Sequence, residues 1–299
     1  MSRLSFLPGV LCSALALSAG AQTSPPPIVN GGFPLVSPSA PHILFESNRT
    51  GTTQLWIISD DGTGERQLTT RDSVAGGQWA PDGKSIFYTV LIRDTSQLYE
   101  LWPDSLPSRD HMIGTFPGRG PQVSPARTRV VYDVGPWTAS HLLITDGQGR
   151  SPRQVTDDSL TVWRGVWSPN DRRLAYTVSK KSGMSVWVMN EDGSNPHQVT
   201  HLTPEEGRAQ MPAWHPDSHQ LAFQANAISP KGKSTLWLVN LQTTGAREIA
   251  PHTEAFLDET PSWFSDGKRV AFQSNRSGRM EIWVVNADGS QLRQITGLH

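Results

Sequence analysis

Apolar and polar positions along this chain fall into short alternating runs separated by turn-forming residues, and the runs recur. Five segments are plainly related: QWAPDGKSIFYT from Gln78, QVSPARTRVVYD from Gln122, VWSPNDRRLAYT from Val166, AWHPDSHQLAFQ from Ala213 and SWFSDGKRVAFQ from Ser262. Each places Trp or Val, then Pro or Ser two residues later, then an apolar triplet five residues beyond that. LVSPSAPHILFE, with Val36, Pro38 and Ile43 at the same offsets, is a sixth and degenerate copy. The reference positions Pro38, Pro81, Pro125, Pro169, Pro216 and Ser265 are spaced by 43 to 49 residues. A fixed period of this size is that of one four-stranded propeller blade.

The rest of each unit supplies the remaining strands. QLWIISDDG, SVWVMNEDG and EIWVVNADG, with HLLITDG and TLWLVNLQTTG as variants, are apolar runs that usually close on Asp-Gly. Gly accepts the positive φ of a tight hairpin turn there. A short last strand follows as RQLT, RQVT, HQVT, REIA or RQIT, with HMIG in the second unit. No long stretch shows apolar residues at helical spacing. The pattern predicts an all-β chain: a six-bladed β-propeller of four-stranded antiparallel blades over residues 36–299, the blades running from Val36, Trp79, Val123, Trp167, Trp214 and Trp263.

The combination of WSPDG, an apolar-aromatic triplet, SNRxG, IWVVNADG and RQIT resembles the WD-like repeat of TolB-family propellers. SNRTG and SNRSG begin at Ser47 and Ser274. The resemblance extends over residues 36–299 and implies a protein that works by binding a partner. TolB proteins carry an α/β domain ahead of the propeller, used in contacts with other envelope proteins, whereas only residues 22–35 stand there in this chain. The resemblance is to the propeller alone.

Ahead of the repeats, Arg3 precedes an apolar stretch that closes on Ala19, Gly20 and Ala21. This is the layout of a cleavable secretory signal. Cleavage is expected after Ala21, giving a periplasmic or secreted protein, with residues 22–35 as a flexible lead-in rich in Pro and Gly. The apolar run is interrupted by Pro8 and Gly9 and is shorter than the roughly 20 residues a membrane span requires, so no span is expected. Ile28 and Val29 offer one way of closing the ring, by adding a strand to the last blade; packing of contiguous blades is the other.

Charge and cysteine usage narrow the partners. With 26 Lys and Arg against 27 Asp and Glu, nothing favours nucleic acid. The single cysteine, Cys12, lies within the signal, so the mature chain is expected to have neither disulfides nor a thiol nucleophile. A monomer that binds a protein or a small ligand, without a cofactor, is the expectation.

Repetition separates scaffold from candidate chemistry. Trp79, Trp167, Trp214 and Trp263 occupy one repeat column and Trp56, Trp187, Trp237 and Trp283 another, so these eight of the eleven tryptophans are expected to pack between blades. Trp102, Trp137 and Trp163 stand outside the columns. Asp61, Asp146, Asp192 and Asp288 belong to dispersed turns rather than to a calcium loop, which needs about six converging oxygens. Gly83-Lys84-Ser85 lacks the earlier Gly of a phosphate loop and reads as a turn. His197 with His201 and His215 with His219 have a spacing that aligns ligands only on a helix, so no metal site is assigned. No GxSxG elbow is present. The expectation is therefore not an enzyme, with a metal-assisted lyase or hydrolase using a dispersed channel site as the alternative.

What the blades do not share is the informative set. Four residues before each Trp or Val column stand Ala75, Arg119, Trp163, Gln210 and Glu259, and three before it Gly76, Gly120, Arg164, Met211 and Thr260. These are expected to project at the channel mouth. Arg119, Trp163, Arg164, Gln210 and Glu259 form the predicted ligand site, where guanidinium groups would suit an anionic or carboxylate-bearing group.

Overall fold

The structure, a computed structural model, describes residues 31–297 apart from 73, 94, 106–108, 204, 228–232 and 244. The expected signal sequence and most of the expected lead-in, including Ile28 and Val29, lie outside the described residues.

Six four-stranded antiparallel sheets follow one another along the chain, each built from four consecutive strands. Blade 1 contains Gly32–Val36, His42–Ser47, Gln54–Ser59 and Arg66–Gln67. Blade 2 contains Val74–Trp79, Ile86–Ile92, Thr95–Trp102 and Arg109–Phe116. Blades 3 to 6 open with inner strands Arg119–Val123, Thr161–Trp167, Arg208–Trp214 and Asp258–Trp263. Each inner strand touches the inner strands of both neighbouring blades, so the ring is closed. The chain is a six-bladed β-propeller.

Two expected boundaries move. The Trp or Val column ends each inner strand rather than beginning its blade, because the residues after it form the hairpin turn; Ala80 N, for example, donates to Ser85 O at 2.9 Å. Blade 1 therefore starts at Gly32, and the residues Gly32–Leu35, expected in the lead-in, form strand.

The apolar core is divided among the blade interfaces. Leu44, Leu55 and Ile57 of blade 1 pack on Val74, Ile86 and Tyr88 of blade 2, and an equivalent cluster fills each of the other five interfaces. The Trp column belongs to these seams. The indole N–H groups of Trp79, Trp167 and Trp214 donate to Leu35 O, Gln122 O and Val166 O of the preceding blade at 2.9–3.1 Å. Blade 3 has Val123 in this column, and there the Gln78 side chain of blade 2 bonds both Val123 N and Val123 O. In the second column, cations cover the rings: Arg49 lies over Trp56, Lys180 over Trp187 and Arg276 over Trp283. This accounts for the Arg of both SNRxG motifs.

The Asp-Gly turns are self-contained. Asp61, Asp146, Asp192 and Asp288 each accept a bond from the backbone N–H two residues ahead, at 2.9 Å. The donors in those turns hold all four carboxyls below the ordinary aspartate range.

The last interface, between blades 6 and 1, joins the two ends of the ring without a shared strand among the described residues. Val36, Ile43 and Phe45 pack on Phe264, Ile282 and Ile295. Phe33 N donates to Gln273 Oε1 at 2.8 Å, Val36 N to Ser262 Oγ at 3.0 Å, and Arg269 pairs with Asp60 at 2.8 Å.

Candidate functional site: the channel-lining bulges

Each inner strand carries a register irregularity near its middle. At its centre sits a residue with positive φ: Phe33 (50°), Gly76 (63°), Gly120 (56°), Arg164 (55°), Met211 (56°) and Thr260 (51°). A bulge inserts one residue and re-aims its neighbours. The residue that follows is Pro34, Gly77, Pro121, Gly165, Pro212 or Pro261, a Pro or Gly in every blade. Pro supplies no N–H that a ladder would need, which suits an interrupted register.

The re-aimed amides hold neighbouring blades together. Gly76 N donates to Glu46 Oε1 at 2.7 Å and Thr260 N to Gln224 Oε1 at 3.0 Å. Arg164 N lies 3.2 Å from both carboxylate oxygens of Asp133, and Phe33 N uses Gln273 as described. All four acceptors occupy one column on the second strands and are buried. In blades 2 and 4 the column carries the shorter Thr89 and Thr177, and the buried Thr177 hydroxyl finds no partner among the described residues.

Two of the bulge centres, Arg164 and Phe33, meet across the channel. The guanidinium carbon of Arg164, in blade 4, lies 5.6 Å from the ring centroid of Phe33, in blade 1. These blades are diametrically opposed in a ring of six, so the pair spans the lumen.

The other predicted site residues are dispersed. Arg119 turns toward the hairpin of its own blade: Nη1 donates to Gly135 O at 2.8 Å, and the guanidinium lies 4.2 Å from the Trp137 ring centroid. Its Nε and the Trp163 indole N–H are buried without acceptors among the described residues. Gln210 is buried at the bulge edge. Glu259 is buried and bonded to Gln273 Nε2 at 3.0 Å and to Ser234 Oγ at 3.3 Å, and burial pushes its carboxyl up to about 6. Gln273 stands in its own blade and Ser234 in blade 5, so the carboxyl lies between blades 5 and 6. The predicted five therefore do not converge; Arg164 alone is seen reaching across the lumen.

Two residues outside the predicted set shape the site. Phe33 sits in a Pro/Gly-rich segment that reads as lead-in. Asp133 replaces Thr or Gln in the acceptor column; burial pushes it up to about 6, opposed by the Arg164 backbone N–H and by the charges of Arg119 and Arg164. Of the paired histidines, His215 stacks edge-on to Trp263 at 4.6 Å, and His197 Nδ1 bonds Asn195 O. Among the described residues no three His, Cys, Asp or Glu side chains are grouped to hold a metal.

Residues 124–298 match the family model of the TolB beta propeller domain. An uncharacterized protein of Agrobacterium fabrum is 24% identical over 200 residues, covering 66% of this chain and 64% of the relative. Dipeptidyl-peptidase 5 of Porphyromonas gingivalis is 22% identical over 284 residues, covering 85% of this chain and 38% of the relative. The chain thus spans less than two thirds of the length of these relatives. Among solved structures, TolB from Acinetobacter baumannii superimposes with a TM-score of 0.66 at 17% identity, over 89% of this chain and 64% of that one. An oligogalacturonate lyase in complex with manganese gives 0.60 at 15% identity, over 89% and 77%. At such identities the structural likeness establishes the fold alone, and that fold is shared by binding proteins and enzymes.

Proposed function

Starting from a chain that belongs to the TolB beta propeller domain family, we propose an exported binding propeller that recognises an anionic, carboxylate-bearing group of a protein or small-molecule partner at the channel mouth. The observation that carries this reading is the position of Arg164, whose guanidinium extends into the lumen from a bulge fastened by Asp133. A planar guanidinium offers a carboxylate two parallel N–H donors, and a fixed backbone limits the entropy lost on binding. Arg119 stacked on Trp137, which is 45% exposed, adds a cationic and aromatic rim on blade 3.

A catalytic reading has less to stand on. Asp133 and Glu259, buried carboxyls with raised proton affinity, are both engaged in bonds that join strands, whereas an acid or base must reach a substrate. Export rests on the residue pattern of the first 21 positions, and among the described residues no helix is long and apolar enough to cross a membrane.

The test is an array of random hexapeptides with free C-terminal carboxylates beside the same peptides as amides, probed with the protein and with Arg164→Ala. The reading expects a carboxylate-dependent set that Arg164→Ala no longer retains. An identical set with both proteins removes it.

A further inference from the structure

We propose that the channel is one-sided: its blade 2 and blade 3 half is an open slot, formed by Gly76 and Gly120, that admits a slender unbranched chain ending in a carboxylate alongside Arg164. The inference rests on the channel-mouth reading above and specifies the ligand.

Neither backbone conformation nor packing dictates glycine at these two positions. A positive φ usually explains a glycine, yet at the equivalent bulges Phe33, Arg164, Met211 and Thr260 adopt φ of 50–56° with full side chains. The backbone of this fold therefore does not require glycine there. Packing does not require it either. A Cβ built on Gly76 or Gly120 meets nothing within 4 Å among the described residues, while one on the adjacent Gly77 would lie 2.6 Å from Leu44 Cδ2. Gly77 is glycine for lack of room; Gly76 and Gly120 face open space, and both are exposed.

The Arg164–Phe33 contact then divides the lumen. On one side, blades 5 and 6 carry Met211 and the buried Thr260 at the equivalent positions. On the other, the bulge centres of blades 2 and 3 are glycines and contribute no side chain. The slot is walled by two glycine backbones and edged by a guanidinium and an aromatic ring. That combination accommodates a narrow chain and offers its terminal carboxylate a bidentate partner. A peptide C-terminus and a free linear dicarboxylic acid share this chemistry.

Calorimetric titrations with triglycine, triglycine amide and glutarate separate the possibilities. The protein is compared with Gly76→Met/Gly120→Met, which copies the Met211 arrangement into the slot, with Met211→Gly, which empties the other half, and with Arg164→Ala. Expected are binding of triglycine or glutarate but not of the amide, a loss of about tenfold or more in both the double Met variant and Arg164→Ala, and no change in Met211→Gly. Triglycine binding alone identifies a peptide terminus, glutarate alone a free acid. Affinity lost in Arg164→Ala but kept in the double Met variant overturns the slot and leaves the mouth reading standing. Equal affinity of the amide overturns the carboxylate. Failure of all three probes, or indifference to Arg164→Ala, overturns both. Should the double variant not fold, amide resonances of Gly76 and Gly120 in the unaltered protein decide: they shift with the bound probe, or the slot is wrong.

Discussion

Arg164 and Phe33 approach to 5.6 Å, guanidinium carbon to ring centroid, from opposite blades of the ring. Their main-chain amides are each fixed by a buried acceptor from the preceding blade, Asp133 for one and Gln273 for the other. Side-chain reach and backbone anchoring are therefore separable. Phe33→Ala removes the aromatic face but keeps the amide bond, so denaturant unfolding is expected to report a loss of only about 0.5–1 kcal/mol.

Gln273→Ala attacks the anchoring. Its amide group accepts from Phe33 N and donates to Glu259, so truncation leaves the Phe33 N–H without its acceptor at the interface that closes the ring and takes one bond from the buried Glu259 carboxyl, which keeps Ser234. A cost of roughly 2–4 kcal/mol is expected. Arg269→Ala, which breaks the more exposed pair with Asp60 at the same interface, is expected to cost about 1 kcal/mol or less. Comparable losses in thermal unfolding would refute the buried girdle as the stronger fastening.

The pH dependence follows from Asp133. Burial raises its carboxyl from 3.8 to about 6, so the folded chain binds this proton more tightly than the unfolded one. Its contribution to stability is fully present below about pH 4 and is lost as pH rises through about 6. Asp133→Asn keeps an acceptor for Arg164 N and removes the titration. The variant should gain on the parent between pH 4 and pH 7 by up to roughly 3 kcal/mol. Parallel stability curves across that range would contradict the assignment.

Gln291 holds φ of 57° on an exposed turn after Asp288-Gly289. An L side chain pays a steric penalty in that region. Gln291→Gly is expected to raise stability by about 0.5 kcal/mol in denaturant titration; a drop would mean that the side chain has a compensating contact.

The architecture was legible because it repeats. Trp79, Trp167, Trp214 and Trp263 recur with the turn that follows them, and each occurrence lies in a seam between blades. The site was legible only as a place where repetition fails. That criterion found Arg164, Gly76 and Gly120, but it grouped Glu259 with them although its carboxyl is turned between blades 5 and 6. It passed over Asp133, whose column reads as scaffold when Thr, Gln and Glu fill it elsewhere. Phe33 was hidden by its setting: Gly32, Pro34 and their neighbours have the composition of a linker, and only pairing of Gly32–Val36 with His42–Ser47 makes them strand. Nor does residue type announce the six positive-φ bulges, since four of them carry side chains. The Pro or Gly that follows each one was the available signal.

The central claim is recognition of a carboxylate by Arg164 at the channel. Its most direct test is calorimetric titration of the tightest free-carboxylate hexapeptide into the protein, Arg164→Lys and Arg164→Ala. The account predicts partial affinity for Lys, which keeps the charge but not the fork, and a loss of about tenfold to hundredfold for Ala. Unchanged affinity in Arg164→Ala would contradict it and place the binding surface elsewhere on the propeller.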